Sequence, residues 1–597
     1  MDKKIDLKGF VRVSKAPKEV CRPYEGSISA GKNTYVYDAH TYHTKVPPEG
    51  IEPFIEYYTD PGDVVLDPFC GSGMTGIAAQ RHGRKVIMSD LSPAAAFIAD
   101  NLNSPIDADE YMDAVRALLK KSESLERALY STECRECGKA VNSLYTIWSY
   151  GAVCPSCSRE FIIWDVARDE RKTVRESKIL SEFDCPFCGQ HLKKRELKRT
   201  RLYPVAVGYK CCTKSLKERV HPLSDGDKKL LDGLTYDGIP ASLWYPRDKF
   251  PEGINTKQPI AAGIDSIDKA YFPRALHAYA FLWNEALNWP DEKIRRKLLF
   301  TLTSLYQRIT KFSEFRFWGG SSNTANYNVP HIINEQNVFR TFERKAKTIY
   351  LYFQSEGKFE GGGYRVFTGS ACSLPCIPDN SVDYIFTDPP FGANINYSEM
   401  NFLWESWLRD YTDNAEEAIV NRVQGKEISD YGRLLFRAFT EMKRVLKKGA
   451  WLTVMFHNSS DKVWRELQTA ITDAGFEIKG VLTFNKKHGT FKQFVSENAV
   501  GYDLVLNCQN TSVRYVLQDT GRDDEFLEIR EFLKNSLKLH DRAEYTVHYE
   551  HVNREDEFDF RKLYSEWLSV AVEKEKIAVD FEQFRKIAQE ELAMQGR

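Results

Sequence analysis

The sequence predicts an α/β fold built on a Rossmann-like sheet. Between residues 64 and 90 two apolar runs, VVL and KVIMSD, have the composition of buried strands, and a glycine turn and a helix from Met74 to His82 separate them. From 364 to 508 five more apolar runs alternate with helical patterns. The stretch 485–500 between the last two runs is too irregular for a crossover helix, so we expect seven strands with the last one antiparallel.

A long insertion interrupts this pattern. The sheet motif stops near Pro105 and resumes near Tyr364, and roughly 250 residues between them are too many for a simple loop. We therefore expect a large folded insertion in the sheet domain, and its paired cysteines and helical patterns predict zinc ribbons and helices there. The predicted segments are 1–103 and 361–510 for the two parts of the sheet domain, 104–222 for the ribbons, 223–360 for a helical and aromatic part that could recognise a target, and 511–597 for a helical extension.

Composition limits the class of protein. The 597 residues carry 83 basic and 84 acidic side chains, so any affinity for nucleic acid must come from local patches. No apolar run is long enough to span a bilayer, and the N-terminus has no apolar signal core. We expect a soluble, cytoplasmic protein with no membrane partner.

The first candidate site follows the strand Val382–Phe386. Two prolines, in Asp388-Pro389-Pro390-Phe391, prevent the strand from continuing. Ligands of open α/β sheets bind beyond the carboxyl ends of the strands. A carboxylate, two rigid prolines and an aromatic ring at such an end predict a binding site.

The second candidate site is the glycine turn after Asp67. Gly71 and Gly73 allow close approach of a ligand to the backbone, and Asp90, at the end of the next strand, is placed to accept hydrogen bonds from ribose hydroxyls. The turn has neither the GxGxxG spacing nor a following Walker lysine. The predicted ligand is therefore nucleoside-like but lacks a pyrophosphate.

These motifs carry a family resemblance. LDPFCGSGMT, preceded by HTKVPPEGIEPFIEYYTDPGD and followed later by TDPPF, resembles the amino-group DNA methyltransferases that use S-adenosylmethionine. The pieces FPRALHAYAFLWNEAL, TGSACSLPCIPDNSVDYIFTDPPF and NINYSEMNFLWESWL are further similar to predicted adenine-specific methylases that have a zinc-ribbon insertion. The likeness is strong over 40–103 and 364–508.

The resemblance implies roles for individual residues. The methionine end of the cofactor would lie at Asp67, Phe69, Gly71 and Gly73, its ribose at Asp90, its adenine at Ser370 and Ala371, and the target base at Asp388, Pro389, Pro390 and Phe391. Asp388 and the Pro389 carbonyl would accept the two N–H bonds of an exocyclic amino group, and Phe391 would stack on a base flipped out of duplex DNA. The implied reaction is methylation of adenine N6, with cytosine N4 open.

Two alternatives remain open at this point. Phe391 stands where many DNA adenine enzymes have Tyr, and DPPF also occurs in RNA guanine-N2 methyltransferases, so an RNA substrate is the second hypothesis. The competing class is a zinc-ribbon nucleic-acid-binding protein whose methyltransferase fold has lost activity. The recognition sequence, the oligomeric state and any protein partner do not follow from the sequence.

Eight of the thirteen cysteines lie between 134 and 212, mostly as CxxC pairs, which in a cytosolic chain indicates structural zinc. The spacing predicts one four-cysteine site from Cys134, Cys137, Cys154 and Cys157. It predicts a second site from Cys185 and Cys188 with Cys211 and Cys212. Because adjacent cysteines are poor joint ligands, His221 is an alternative to one of that last pair.

Two further stretches of the insertion are candidates for contact with nucleic acid. Residues 193–219 contain ten basic and two acidic side chains, and we expect them to contact phosphates. Several aromatic residues lie close together between 312 and 327: Phe312, Phe315, Phe317, Trp318 and Tyr327. We favour core packing as their role, and contact with the target strand is the alternative.

Overall fold

The protein is described from a computed structural model. It describes residues 6–26, 28, 31, 34–169, 171, 173–174, 176–211, 218–316, 327–357, 359, 361–458, 460–484, 503–511, 522–539, 546–547, 557–558, 560–573 and 581–594. No helix in these ranges is both long and apolar enough to cross a bilayer.

The strands fall into two large sheets and two short hairpins. In chain order they are β1 Val64–Asp67, β2 Lys85–Asp90, β3 Ser131–Glu133, β4 Ala140–Val153, β5 Glu160–Ile162, β6 Glu182–Asp184, β7 His191–Lys193, β8 Lys198–Lys210, β9 Glu218–Pro222, β10 Ile332–Gln336, β11 Gly363–Thr368, β12 Val382–Thr387, β13 Leu446–Phe456, β14 Phe476–Phe484, β15 Asp503–Asn510, β16 Thr546–Val547 and β17 Glu557–Phe558.

The helices pack on the sheets and on one another. In chain order they are α1 Tyr35–Ala39, α2 Pro48–Tyr58, α3 Met74–Arg81, α4 Pro93–Leu102, α5 Ala108–Tyr130, α6 Ile163–Val166, α7 Asp225–Asp232, α8 Lys257–Ala261, α9 Pro273–Leu287, α10 Glu292–Thr303, α11 Tyr306–Ile309, α12 Val338–Glu356, α13 Tyr397–Leu408, α14 Ile428–Val445, α15 Asp461–Asp473, α16 Arg522–Leu539, α17 Phe560–Glu573 and α18 Phe581–Met594.

The larger sheet has seven strands in the order β11-β2-β1-β12-β13-β15-β14. The first five pair in parallel, whereas β15 runs antiparallel to both β13 and β14. This confirms the predicted Rossmann-like sheet with its last strand reversed. The chain moves outward from β1 through β2 to β11 and then returns to the other side of β1 with β12. The strand order therefore switches between β1 and β12, where ligands of such sheets bind.

Burial explains why these short runs form strands. Every residue of β1 and β12 is buried, because helices cover both faces of the sheet. One polar side chain inside β12, Asp383, is satisfied there: it accepts hydrogen bonds from Val64 N at 2.9 Å and Lys447 Nζ at 2.6 Å. These bonds join β1, β12 and β13 at the end of the sheet opposite the site.

The second large sheet lies in the insertion and has the order β10-β4-β8-β9, with β3 and β5 also paired to β4. Its two long strands, β4 with 14 residues and β8 with 13, are antiparallel. The edge strand β10, Ile332–Gln336, comes from segment 223–360, which was predicted to be helical and aromatic. The division into domains stays a prediction.

The helices of the insertion pack directly on the sheet domain. Lys297 Nζ of α10 donates to Asn101 O of α4 at 2.8 Å. From α13, Trp404 Nε1 donates to Thr303 O at 2.8 Å and Trp407 Nε1 donates to the Tyr271 hydroxyl at 3.0 Å. The helix that follows the DPPF sequence is thus held by the insertion.

Candidate functional site

The glycine turn after β1 is held by the acid at the end of β2. Gly71 N and Ser92 N donate to the two oxygens of the Asp90 carboxylate, each at 2.9 Å. Gly73 has φ +78°, and a Cβ there would lie 2.8 Å from the Ala99 side chain, so only glycine fits the start of α3. Burial raises the pKa of Asp90 to about 6.

Asp67 lies at the carboxyl end of β1 and is buried. Its oxygens accept hydrogen bonds from Thr75 Oγ1 at 2.6 Å, Phe69 N at 3.2 Å and Thr387 Oγ1 at 3.1 Å. Burial nevertheless raises its pKa to about 7. Neither threonine was predicted as a site residue, although Thr75 ends the motif LDPFCGSGMT and Thr387 begins the motif TDPPF.

Two side chains hold the DPPF loop in place by donating hydrogen bonds to its carbonyl groups. The Tyr431 hydroxyl of α14 donates to Pro390 O at 2.7 Å, and Asn458 Nδ2, which follows β13, donates to Phe391 O at 2.9 Å. Neither of these two side chains binds the carbonyl of Pro389. The loop is thereby held rigid at the carboxyl end of β12.

The two predicted halves meet in one cleft that is open to solvent. The structure thus brings together most of the residues predicted from the two motifs. Those that line the cleft are Asp67, Phe69, Gly71, Asp90, Ser370, Ala371, Asp388 and Pro390.

Three predicted site residues, Gly73, Pro389 and Phe391, are not part of the cleft wall. Gly73 is the N-cap residue of α3, immediately before Met74. The Phe391 side chain is 8% exposed and packs edge-on against Phe456, with ring centroids 5.4 Å apart. Base stacking by Phe391 stays a prediction, and in this structure its ring belongs to the core beneath the loop.

Sequence reasoning assigned no role to two other groups on the wall of the cleft. One is the segment before α2, whose HTKVPPEG sequence was part of the family resemblance. The other follows α13 and has no motif that marks it. The cleft-lining residues of these groups, with Tyr397 at the start of α13, are Tyr42, Thr44, Lys45, Val46, Thr412, Glu416, Glu417 and Ala418.

A buried glutamate links the segment that follows α13 to the loop that follows β2. Glu405 of α13 accepts hydrogen bonds from the hydroxyls of Ser92, at 2.6 Å, and Thr412, at 2.5 Å. Burial raises the pKa of Glu405 to about 7. The loop after β2 and the loop after α13 are therefore held by one carboxyl group.

The cysteines form three knuckles of the same shape. In each, the residue after CxxC has a positive φ and its N–H donates to the carbonyl of the first cysteine. The three bonds are Gly138 N to Cys134 O at 2.8 Å, Ser158 N to Cys154 O at 2.9 Å, and Gly189 N to Cys185 O at 3.0 Å. The four-residue spacing therefore fixes the local turn wherever it occurs.

The predicted grouping of the knuckles was wrong. The structure groups Cys154 and Cys157 with Cys185 and Cys188, and Cys134 and Cys137 with Cys211. Strand β4 separates Cys137 from Cys154, and its 14 residues span about 45 Å.

The antiparallel return of β8 explains the pairing that is found. Val153 at the end of β4 pairs with Lys198, and Ser143 near its start pairs with Tyr209. The Cys185 knuckle, which precedes β8, therefore meets the Cys154 knuckle. Cys211, which follows β8, meets the Cys134 knuckle at the other end of the sheet.

The four-cysteine group fits zinc. Its sulfur atoms lie 3.8 Å apart in the pairs Cys154–Cys188 and Cys157–Cys185. Four Zn–S bonds of about 2.3 Å at tetrahedral angles require sulfur separations of about 3.8 Å. Cys134, Cys137 and Cys211 supply three ligands of the second group. Cys212 lies outside the described residues, and His221 is not among the residues grouped with the second cluster.

The basic and aromatic stretches of the insertion differ in exposure. Arg195 is exposed, and Arg201 lies over the Tyr203 ring with its guanidinium 4.6 Å from the centroid. Phe312, Phe315 and Tyr327 are buried, as core packing requires. Lys214, Lys217, Phe317 and Trp318 lie outside the described residues.

The fold and cleft define a protein with a nucleoside-type site at the carboxyl edge of a Rossmann-like sheet. Residues 14–101 match the family model described as DNA methylase, of the N6/N4 methyltransferase type. The resemblance stated from the sequence is confirmed over these residues, which include the glycine turn and Asp90.

Individual relatives match over the same kind of short segment. The chain is 43% identical over 61 residues to the type II methyltransferase M.XycI of Xanthomonas campestris pv. cyanopsidis, covering 10% of this chain and 20% of that protein. It is 28% identical over 102 residues to the type II methyltransferase M.MjaII of Methanocaldococcus jannaschii, covering 17% and 19%. The chain thus spans about a fifth of the length of each of these relatives.

Among solved structures, the geranyl diphosphate C-methyltransferase of Streptomyces coelicolor A3(2) overlaps 28% of this chain and 60% of its own, with 11% identity and a TM-score of 0.17. That likeness is too weak to support an inference about function.

Proposed function

We propose that the protein transfers a methyl group from S-adenosylmethionine to the exocyclic amino group of a DNA base, adenine N6 in the first place and cytosine N4 as the alternative. One observation carries the proposal: the same cleft is lined by the glycine turn and Asp90 and by Asp388 and Pro390. The match of 14–101 to the DNA methylase model supports it.

The side chains of the cleft fit the cofactor. Asp67, Asp90, Glu416 and Glu417 contribute carboxyl groups to its walls, which suits a cationic sulfonium and ribose hydroxyls. We assign Asp90 to the ribose, the turn at Asp67, Phe69, Gly71 and Gly73 to the methionine end, and Ser370 and Ala371 to the adenine. When bound, S-adenosylmethionine supplies an activated methyl group.

The DPPF loop has the acceptors that an amino group needs. We assign one N–H bond of the base to Asp388, which lines the cleft. The other we assign to the carbonyl of Pro389, which stands between the cleft-lining residues Asp388 and Pro390 and is not held by Tyr431 or Asn458. Two acceptors draw the amino nitrogen away from conjugation with its ring and make its lone pair more available. Pro390 keeps the loop rigid, so the acceptors are in place before the base arrives.

Access to this cleft requires that the base leave the duplex. Flipping costs a few kcal/mol, about the amount that stacking and hydrogen bonding in a pocket return. We propose that the basic face of the ribbon around β8 contacts backbone phosphates, and that segment 223–360 contributes to target recognition. The eight cysteines are proposed to hold two structural zinc ions.

The test is methyl transfer from radiolabelled S-adenosylmethionine to unmethylated genomic DNA, followed by nucleoside analysis of the product. We expect N6-methyladenine, and N4-methylcytosine would select the alternative. Asp388→Asn should reduce the rate at least about a hundredfold while leaving cofactor affinity, measured by calorimetry, within about threefold.

Two results would overturn the proposal. Transfer to tRNA or rRNA but not to DNA would assign the protein to RNA base methylation. Absence of cofactor binding and of transfer to any of these substrates would assign it to nucleic-acid binding without catalysis.

A further inference from the structure

We propose that Arg308, Arg344 and Lys345, where α11 meets α12, form a three-cation cluster that binds phosphates of the DNA backbone beside the cleft. The inference rests on the proposed function, and the cluster is separate from the basic face of the ribbon around β8. It follows from where the three side chains lie and from the groups that hold them.

The three-cation cluster is assembled from two helices. Arg344 and Lys345 are neighbours on α12, and Arg308 belongs to α11, which packs against α12 and β10. Arg344 is exposed, whereas Arg308 and Lys345 are half-buried. Burial, followed by the charge of Arg308, lowers the pKa of both α12 side chains, so the three charges lie close enough to repel one another.

Neutral groups hold these side chains in place. Arg344 Nη2 donates to Gln336 Oε1 at 2.6 Å, and Lys345 Nζ donates to the carbonyl of Asp38 at 2.8 Å. Burial and the charge of Arg308 lower the pKa of Lys345 to about 8, although the Asp38 carboxylate opposes them. Within the described residues, no carboxylate forms an ion pair with any member of the cluster.

Other cations of the same helix are neutralised. Arg340 forms an ion pair with Glu126 at 2.8 Å, and Lys347 forms one with Glu343 at 2.9 Å. Segment 317–326, FWGGSSNTAN, which lies between α11 and α12 in the sequence, contains no acidic residue. Like charges without a counter-charge repel one another and attract anions, so the three-cation cluster is suited to a negatively charged partner.

The position of the cluster favours DNA as that partner. The carbonyl that holds Lys345 belongs to α1, and the segment after α1 supplies Tyr42 to the cleft wall. The ring of Tyr306, two residues before Arg308, lies 5.0 Å from Trp404, which stacks on Tyr42 at 6.2 Å. Each strand of a duplex carries a phosphate about every 3.4 Å along its axis, so a base in the cleft has phosphates of its own strand nearby.

The experiment is binding of a short fluorescently labelled DNA duplex, measured by anisotropy at a series of NaCl concentrations. Phosphate contacts do not depend on base sequence, so no recognition sequence is required. We expect Arg308→Gln and Arg344→Gln each to reduce the slope of the logarithm of the binding constant against that of salt concentration by about one. Arg344→Lys keeps the charge and should keep the slope.

The matched control is Lys347→Gln, which removes a cation from the same helix that is already paired with Glu343 and should leave the slope unchanged. Arg308→Gln should keep or raise the melting temperature, because it relieves repulsion within the cluster. A lower melting temperature with an unchanged slope would assign Arg308 a structural role and overturn its phosphate contact.

Unchanged slopes in both arginine variants overturn the inference alone, whatever the protein methylates. A reduced slope with an RNA duplex of the same length, but not with DNA, overturns DNA as the partner of the cluster. Absence of methyl transfer by the unaltered protein overturns the proposed function, and the binding slopes distinguish that result from failure of the cluster.

Discussion

The Thr387 hydroxyl donates to the carboxylate of Asp67 at 3.1 Å, across 320 residues of sequence. Thr387 ends β12 immediately before the DPPF sequence, and Asp67 ends β1 immediately before the glycine turn. The pair therefore joins the loop proposed to hold the base to the loop proposed to hold the cofactor, at the point where the strand order of the sheet switches.

Replacement of Thr387 by Val should destabilise the protein by about 1–3 kcal/mol, because a buried carboxylate loses one of its donors. It should also weaken cofactor binding, because Asp67 supports the turn. Urea unfolding and calorimetry measure the two effects. Thr387→Ser keeps the hydroxyl and is the matched control. If Val and Ser variants bind the cofactor equally, the hydrogen bond does not couple the two loops.

The two cysteine groups, one nested within the other along the sequence, predict which double replacements remove one zinc ion and which remove two. Cys157→Ser combined with Cys188→Ser should remove one zinc per chain, because both residues belong to one site. Cys137→Ser combined with Cys157→Ser should remove two, because they belong to different sites. Zinc content by inductively coupled plasma mass spectrometry distinguishes the cases.

The grouping expected from sequence spacing predicts a different zinc loss for the variant that combines Cys137→Ser with Cys157→Ser. If Cys137 and Cys157 shared one ion, their double replacement would remove a single zinc. Loss of one ion in that variant, with two lost when Cys157 and Cys188 are replaced, would therefore contradict the structure.

Removal of one side chain from the buried ion pair of Asp383 and Lys447 should strongly destabilise the folded protein. Both side chains are 4% exposed, and their charged atoms lie 2.6 Å apart. Lys447→Ala leaves a buried carboxylate without its cation, at a cost of about 3–5 kcal/mol in unfolding free energy. Lys448→Ala, at the exposed neighbouring position, is the control. Equal urea midpoints for the two variants would show that the ion pair contributes no stability.

Local patterns were sufficient to predict the sheet domain. Buried strands such as Val382–Thr387, the glycine turn and the proline stop each carry their signal within a few residues. Seven strand signals were enough to predict seven strands with the last one antiparallel, but not their order in the sheet. The cofactor and base loops could be predicted to meet because parallel strands present their carboxyl ends at one edge.

The unpredicted features depend on contacts between distant residues. The cysteine grouping follows from the length and pairing of β4 and β8, which spacing between cysteines does not record. Likewise, the cleft walls at Thr412 and Tyr397 depend on how α13 packs on the insertion. The orientation of Phe391 is a packing result that the DPPF motif alone does not specify.

Buried His40 should make stability fall in mild acid. Its side chain packs between Phe300, at 4.9 Å between ring centroids, and Trp404, at 5.7 Å. Burial lowers the pKa of His40 from its ordinary 6.5 to about 3. Below pH 6.5 the unfolded chain binds a proton that the folded protein excludes, so this contribution is complete above pH 6.5 and is lost progressively as the pH falls toward 3.

The linkage amounts to about 2 kcal/mol between pH 7 and pH 5. His40→Gln has no titrating ring, so the free-energy difference between the original protein and this variant should shrink by that amount over the interval. Urea unfolding at a series of pH values measures it. A free-energy difference that stays constant with pH would mean that His40 has the same pKa in the folded and unfolded states. A free-energy difference that grows as the pH falls would mean that the folded protein stabilises the charged imidazolium.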